Sequence, residues 1–500
     1  MKIPAALLLT LPLALPAISL AQQVAIGEYA MPDSISYVTD MIPGPDGAVW
    51  FIDGGDIGRI TPAGQITLFS TNTGWDVGGF TTGPDDAIWF IEANGQKIGR
   101  MTGAGAVTQF PLPNPNSYPQ YIAAGSDGAL WFTDYGTNEI GRMTTAGVVT
   151  EFPVPSPGAG LFSIARGPDG AVWFIEAYAN NIGRITPAGV VTEYPVPTAN
   201  SGMSCCIAAG PDGAVWFTEY LADNIGRITT DGVITEYPVT YNSGPQGITA
   251  GPDGAVWFTE SRMGTIGRIT TSGTVTTYLV PQPNGVNYIA QGPDGELWFS
   301  AITGYGGVYT PGMIGEVVFV TANLSVTPAQ GYYHETLDFV GSGFAPNESV
   351  QIYSSGVGSK VLATAVADAS GSLTASALAP EWFYAYGNPR IFLAKGQTSG
   401  KLGAASFTME PHLMLTPNSG AAGNTATVAG FGYGPFETVR LFWDNPRTYL
   451  GTVYADVYGT FSGSAALQFA VPSGATPGAN GVIGLGYYTY ATGTGPFTVE

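Results

Sequence analysis

The sequence predicts an all-β protein, a seven-bladed β-propeller followed by two immunoglobulin-like β-sandwich domains. Three observations carry that prediction. A phrase close to Gly-Pro-Asp-Gly-Ala-Val-Trp-Phe occurs seven times, with its tryptophan at Trp50, Trp89, Trp131, Trp173, Trp216, Trp257 and Trp298, spaced 39 to 43 residues apart. A second phrase, Ile-Gly-Arg followed by Ile or Met, comes after six of them, at Arg59, Arg100, Arg142, Arg184, Arg227 and Arg268. The last third of the chain repeats differently: Thr327-Pro328 recurs at Thr416-Pro417, a period of 89. Repeats of about 40 residues with several short strands each are the signature of propeller blades.

Taken from the N-terminus, Lys2 precedes an almost wholly apolar run over residues 3–18, and Ser19 and Ala21 place small residues at a cleavage site. Residues 1–21 therefore read as a bacterial-type signal peptide, and the mature protein is expected to be secreted or periplasmic. No later apolar run is long enough to span a bilayer. The propeller is expected over 22–322. Each unit offers four strands, in the sixth about 246–250, 255–260, 265–270 and 274–280, with Asp253-Gly254 as a tight hairpin signal. Adjacent Trp and Phe face opposite sides of a blade, so both are core residues.

The seventh unit ends at Val317-Val318-Phe319-Val320 without a fourth strand, and reads Ile314-Gly315-Glu316-Val317 where the others have arginine. The missing Glu-Tyr phrase stands near the N-terminus at Glu28-Tyr29, so residues 24–31 are expected to complete the last blade and hide its edge. Residues 323–410 and 411–500 are each expected to form a sandwich, from length and Gly/Pro-punctuated alternation. Trp382 and Trp443 read as ordinary core or surface aromatics rather than sugar platforms.

Charge narrows the partners. The net charge is −21, and residues 1–320 hold 10 Lys and Arg against 27 Asp and Glu, leaving −17. Phosphate binding needs clustered basic residues, so nucleic acid is excluded as a partner, and cationic ligands fit better. The acidity also serves solubility.

The combination of Gly-Pro-Asp-Gly-x-x-Trp-Phe-Thr-Glu, Asn-x-Ile-Gly-Arg-Ile-Thr and Glu-Tyr-Pro-Val-Pro resembles the virginiamycin B lyase (streptogramin B lyase) family over residues 24–320. That resemblance implies Mg²⁺-dependent elimination at the ester bond of a cyclic depsipeptide, with base and acid at the mouth of the central channel. The family's histidines and glutamates match Gln246, Gly285, Asn287 and Ala301 here, and all four are changed. Gln and Asn cannot cycle a proton near neutral pH. The two histidines, His334 and His412, lie in the tail.

Carrying the first histidine position around the ring adds Thr39, Gly78, Gln120, Phe162 and Cys205 to Gln246 and Asn287 as expected mouth-lining residues, with Trp75 and Asp76 nearby. Of these Gln120, Phe162, Cys205, Gln246, Asn287 and Trp75 are the ligand-binding candidates. Six acids follow Trp-Phe-x: Asp53, Glu92, Asp134, Glu176, Glu219 and Glu260. They read either as a ring that collects Mg²⁺ or Ca²⁺, with Glu176, Glu219 and Glu260 as metal candidates, or as partners of the six Ile-Gly-Arg arginines. Cys205 and Cys206 are either a vicinal disulfide at the mouth or two free thiols.

The function this supports is an exported, non-catalytic recognition protein that takes a small molecule, peptide or glycan end at the mouth, with the sandwiches as spacers or contacts to a cell-surface partner. Two alternatives remain: a lyase with substituted catalytic residues, acting on a streptogramin B-type depsipeptide or related ester, and a structural or adhesive component of the cell surface.

Overall fold

A computed structural model describes residues 24–31, 38–62, 64–71, 77–203, 205–280, 285–293, 295–302, 304–305, 308–309, 313–354, 361–380, 389–433, 437–444, 447–456, 460–487 and 492–500. The signal-peptide segment 1–21, Trp75, Asp76 and Trp382 lie outside these residues.

Seven four-stranded antiparallel sheets form the propeller. In the third blade the strands run Pro119–Ala124, Leu130–Asp134, Glu139–Met143 and Val149–Pro153, from the channel outward. In the sixth they are Pro245–Ala250, Val256–Glu260, Thr265–Ile269 and Val275–Leu279, with Gly254 at φ +74° in the first hairpin. The seventh blade is assembled from both ends of the repeat region. Val24–Ala30 pairs antiparallel with Met313–Phe319, Val24 opposite Phe319 and Ala30 opposite Met313. Tyr29 and Met31 are fully buried there, and the Tyr29 hydroxyl donates to Glu316 at 2.7 Å. The edge that the seventh blade would otherwise expose is thereby paired.

The core between blades follows from the Trp-Phe alternation. Trp131 of the third blade packs with Ile164, Val172 and Phe174 of the fourth, while Phe132 packs back on Trp89 and Ile91 of the second. Each Phe lies over the glycine of the Ile-Gly-Arg phrase on the next strand, as Phe132 does over Gly141, where a Cβ would collide with the ring. The arginine of that phrase does not meet the acid after Trp-Phe-x. It pairs instead with the aspartate of the leading turn: Arg142 with Asp127 at 2.6 Å, Arg227 with Asp212 at 2.6 Å and Arg268 with Asp253 at 2.6 Å. The reason is register. Trp131 and Arg142 are cross-strand neighbours, and the indole Nε1 donates to the same Asp127 carboxylate at 3.1 Å.

Downstream of the propeller stand two eight-stranded sheets, built from strands between Ala322 and Met409 and between His412 and Val499. Each is a continuous sheet folded on itself into a sandwich or barrel-like unit. In the first, Ala322–Thr327 pairs in parallel with Leu402–Met409, and the two end strands approach each other. Trp443 is fully buried in the second core. The first sheet meets the propeller through Val318, Ile391, Leu393 and Leu402.

Candidate functional site: the mouth of the propeller

The inner strand of nearly every blade carries a bulge at its start. Pairing slips between Pro119 and Ile122 in the third blade, between Pro245 and Ile248 in the sixth and between Val286 and Ile289 in the seventh. A bulge leaves an N–H without its ladder partner and re-aims the side chains around it. Hydroxyls on the second strand accept those N–H groups: Thr133 from Tyr121 at 3.2 Å, Thr259 from Gly247 at 2.8 Å and Ser300 from Tyr288 at 3.1 Å. Thr259 also donates to the Asn287 carbonyl of the next blade at 2.7 Å, and Thr218 to the Gln246 carbonyl at 2.8 Å. These links fix the backbone of the mouth layer from blade to blade.

The expected mouth residues divide under this geometry. Phe162 joins an aromatic cluster. Gln120 and Gln246 are half-buried, and Asn287 and Cys205 are buried. None of the five lines the central cavity of about 620 Å³, which begins one residue further along six of the seven inner strands. Cys205 and Cys206 are joined as a vicinal disulfide, with Cys206 on the cavity wall. Gly285 and Asn287 are neighbours: a Cβ at Gly285 would stand 3.9 Å from Asn287 Oδ1. Ala301 is buried opposite Val286.

The acids after Trp-Phe-x do not form a ring around the channel. They turn along their own blades toward the third and fourth strands. Glu176 accepts from Asn181 Nδ2 at 3.0 Å, Glu219 from Asn224 Nδ2 at 3.4 Å and Glu260 from Thr265 Oγ1 at 2.7 Å. All three are fully buried, and each retains a carboxyl oxygen without a hydrogen-bond partner. Burial pushes Glu176 up to about 7, with Asn181 opposing and Glu193 reinforcing the shift. Burial likewise pushes Glu219 up to about 8, aided by the charge of Glu236. Asp134 instead accepts N–H groups from Tyr118, Gly136 and Thr137. Among the described residues no three His, Cys, Asp or Glu side chains gather as metal ligands.

What sequence reasoning missed is an aromatic ledge beside Phe162. Tyr135 makes edge contacts with Tyr118, Phe162 and Tyr178, at ring separations of 6.3, 6.2 and 6.2 Å. Tyr178 also meets Phe162 edge-on at 6.3 Å. Tyr118, Tyr135 and Tyr178 are exposed, at 39%, 41% and 67%. Further round, Arg262 lies over the Tyr220 ring at 4.3 Å. Tyr135, Tyr178 and Tyr220 follow the repeated acid by one or two residues, a signal available in the repeat alignment.

The profile of the virginiamycin B lyase family matches residues 6–204 and 196–317. This chain belongs to the virginiamycin B lyase family. A streptogramin B lyase structure is 35% identical, covering 59% of this chain and 97% of its own, with a TM-score of 0.54. Virginiamycin B lyase from Staphylococcus aureus is 34% identical, covering 60% and 100%, with a TM-score of 0.55. Its catalytically inactive variant, solved with quinupristin, is also 34% identical, covering 60% and 100%, with a TM-score of 0.53. A comparison with curated proteins gives no match. Among the described residues no helix is long and apolar enough to cross a membrane.

The family resemblance implies Mg²⁺, and the residues at the matching positions do not fit it. Gln246, Gly285, Asn287 and Ala301 present amide oxygens and no carboxylate, whereas hard cations draw on several carboxylates. The buried Glu176, Glu219 and Glu260 are separated in their own blades and turned away from the channel.

Proposed function

We propose that this virginiamycin B lyase family member is an exported recognition protein that holds a compact ligand at the propeller mouth without turning it over. The exposed ledge of Tyr118, Tyr135, Phe162 and Tyr178 carries the reading. Four clustered rings offer large contact area at low entropic cost and suit an apolar ring or peptide face. The absence of proton-cycling groups at Gln246 and Asn287 supports binding over elimination. The S. aureus relative solved with quinupristin makes that cyclic depsipeptide the first probe.

Quinupristin is titrated by calorimetry, then incubated with the protein in Mg²⁺ or EDTA and followed by mass spectrometry. Saturable binding with an intact ring is expected, weakened about tenfold or more in Tyr135→Ala and Tyr178→Ala, since a truncated hot-spot aromatic costs about 2 kcal/mol or more. A ring-opened product of unchanged mass, lost in EDTA, refutes the non-catalytic reading. Absence of saturable binding refutes recognition of this ligand class.

A further inference from the structure

One residue below the mouth, the inner strands place Asp40, Tyr121, Ser163, Cys206, Gly247 and Tyr288 at equivalent positions on the wall of the central cavity. The seventh position is Gly79, and its emptiness has a consequence. A Cβ there would stand 2.6 Å from Tyr121 Cδ1 and 2.9 Å from its Cα, so the Tyr121 side chain lies across blade two toward Asp40 on blade one. From the other side Tyr288 of blade seven reaches the Tyr121 hydroxyl and hydrogen-bonds it. One arc of the layer thus holds a carboxylate beside two hydrogen-bonded phenols, and the opposite arc holds Ser163, the disulfide and Gly247.

We propose that this arc is a binding site for a small organic cation, an ammonium group of about choline size, held by Asp40 beside the hydrogen-bonded pair Tyr121 and Tyr288. Asp40 is half-buried against the cavity and makes no ion pair among the described residues. Its polar neighbours are the Met41 N–H at 2.8 Å, the Phe80 N–H and the Tyr121 phenol, which Tyr288 in turn hydrogen-bonds. The other charged residue on the cavity wall, Arg166, stands on blade four at the end of its inner strand, three residues beyond Ser163. A carboxylate beside aromatic rings is the arrangement that retains organic cations, and the acidic propeller raises their local concentration.

Burial pushes the Asp40 carboxyl up to about 7, with the Met41 and Phe80 N–H groups opposing. The empty site is therefore half protonated near neutrality, and the cation displaces that proton. Affinity rises with pH and levels off once the carboxyl is ionised.

The test titrates the full chain with choline and with its neutral tert-butyl isostere, read by saturation-transfer NMR and by thermal shift. Choline is expected to saturate and the isostere not to bind. Between about pH 5.5 and about pH 8.5 choline affinity should strengthen about thirtyfold, the change in ionised fraction of a group titrating near 7. Asp40→Asn should weaken choline at least about tenfold at the higher pH, and Tyr288→Phe should weaken it less. Equal uptake of the isostere, a pH-independent affinity, unchanged binding in Asp40→Asn, or no saturable choline binding overturns the proposal. The isostere arm needs no variant, so the outcome stands even if a substitution disturbs folding. Quinupristin binding to the ledge is read separately, so failure here and failure at the mouth are distinguishable.

Discussion

The repeated Trp, Asp and Arg act as one unit because their register places them side by side. In the fifth blade Trp216 is fully buried, its indole donates to Asp212 at 3.0 Å, and Arg227 pairs with the other carboxyl oxygen at 2.6 Å. Partial burial works against the Asp212 charge, yet the Trp216 and Arg227 hydrogen bonds hold its carboxyl below the usual range. The aspartate is the shared acceptor, so its loss leaves a buried indole N–H unpaired. Asp212→Ala should cost about 2–3 kcal/mol and Arg227→Ala nearer about 1 kcal/mol, since the arginine contributes a partly exposed ion pair. Urea unfolding followed by tryptophan fluorescence measures both, and equal costs would show that the ion pair dominates. The phrase was legible in sequence, and the pairing was not. Six acids and six arginines matched in number, but Glu176, Glu219 and Glu260 turned to Asn181, Asn224 and Thr265 because those residues lie directly across the ladder.

Strand by strand, the seventh blade shows how a linear repeat becomes a ring. Val24–Ala30 supplies the outer strand, the Tyr29 ring lies tilted against Trp298 at 5.3 Å, and its hydroxyl reaches Glu316, which stands where other blades have arginine. Tyr29→Ala removes a fully buried ring and should cost about 3–5 kcal/mol. Tyr29→Phe removes a single hydrogen bond to a carboxylate and should cost about 1–3 kcal/mol. Removing residues 24–30 altogether should expose the Met313–Phe319 edge and promote association. Calorimetry and light scattering on the three variants check the order. A deletion that stays monomeric with an unchanged melting temperature would mean the ring closes without this strand. The inner strands carry the complementary lesson: Thr133, Thr259 and Ser300 occupy the variable position of the Trp-Phe-x phrase, and they hold the bulges that shape the channel.

Across the whole molecule, buried carboxyls set the dependence of stability on pH. Glu176 and Glu219 titrate near 7 and 8 when folded, well above their ordinary value of 4.5, because burial disfavours the charge. Between 4.5 and those values the folded protein keeps protons that the unfolded chain releases, so stability falls as pH rises through 7 to 8. The loss is on the order of 3 kcal/mol for Glu176 and about 5 kcal/mol for Glu219. Asp46, Asp85, Asp127, Asp169 and Asp212 behave oppositely: their folded values lie below 3.8, so their stabilisation is lost as pH falls through that range. The melting temperature should therefore peak at about pH 4.5–5.5. Self-repulsion of the net charge acts in the same direction on the alkaline side, and Glu176→Gln with Glu219→Gln separates the two. The double variant should flatten the alkaline limb in scanning calorimetry. An unchanged limb would assign the effect to net charge and to Asp40, whose carboxyl burial also holds at about 7.

The all-β class, the seven blades, the residues that fill the space between them and the lyase-family resemblance are all legible in the order of residues along the chain. Each of these depends on local periodicity and spacing, which a repeated phrase displays directly. The sequence also showed that the positions matching the family's catalytic groups are Gln246, Gly285, Asn287 and Ala301. Tertiary structure decided what surrounds the channel. Asn287 and Cys205 are buried, and the cavity wall goes to the residues that follow them. Ring closure brought Asp40 of the first blade beside Tyr288 of the last, 248 positions apart in the chain, with Tyr121 across Gly79. The loops after the second strands gathered Tyr135 and Tyr178 onto Phe162. These juxtapositions depend on where a backbone irregularity points a side chain and on which distant blades become neighbours, and neither is a property of any one repeat.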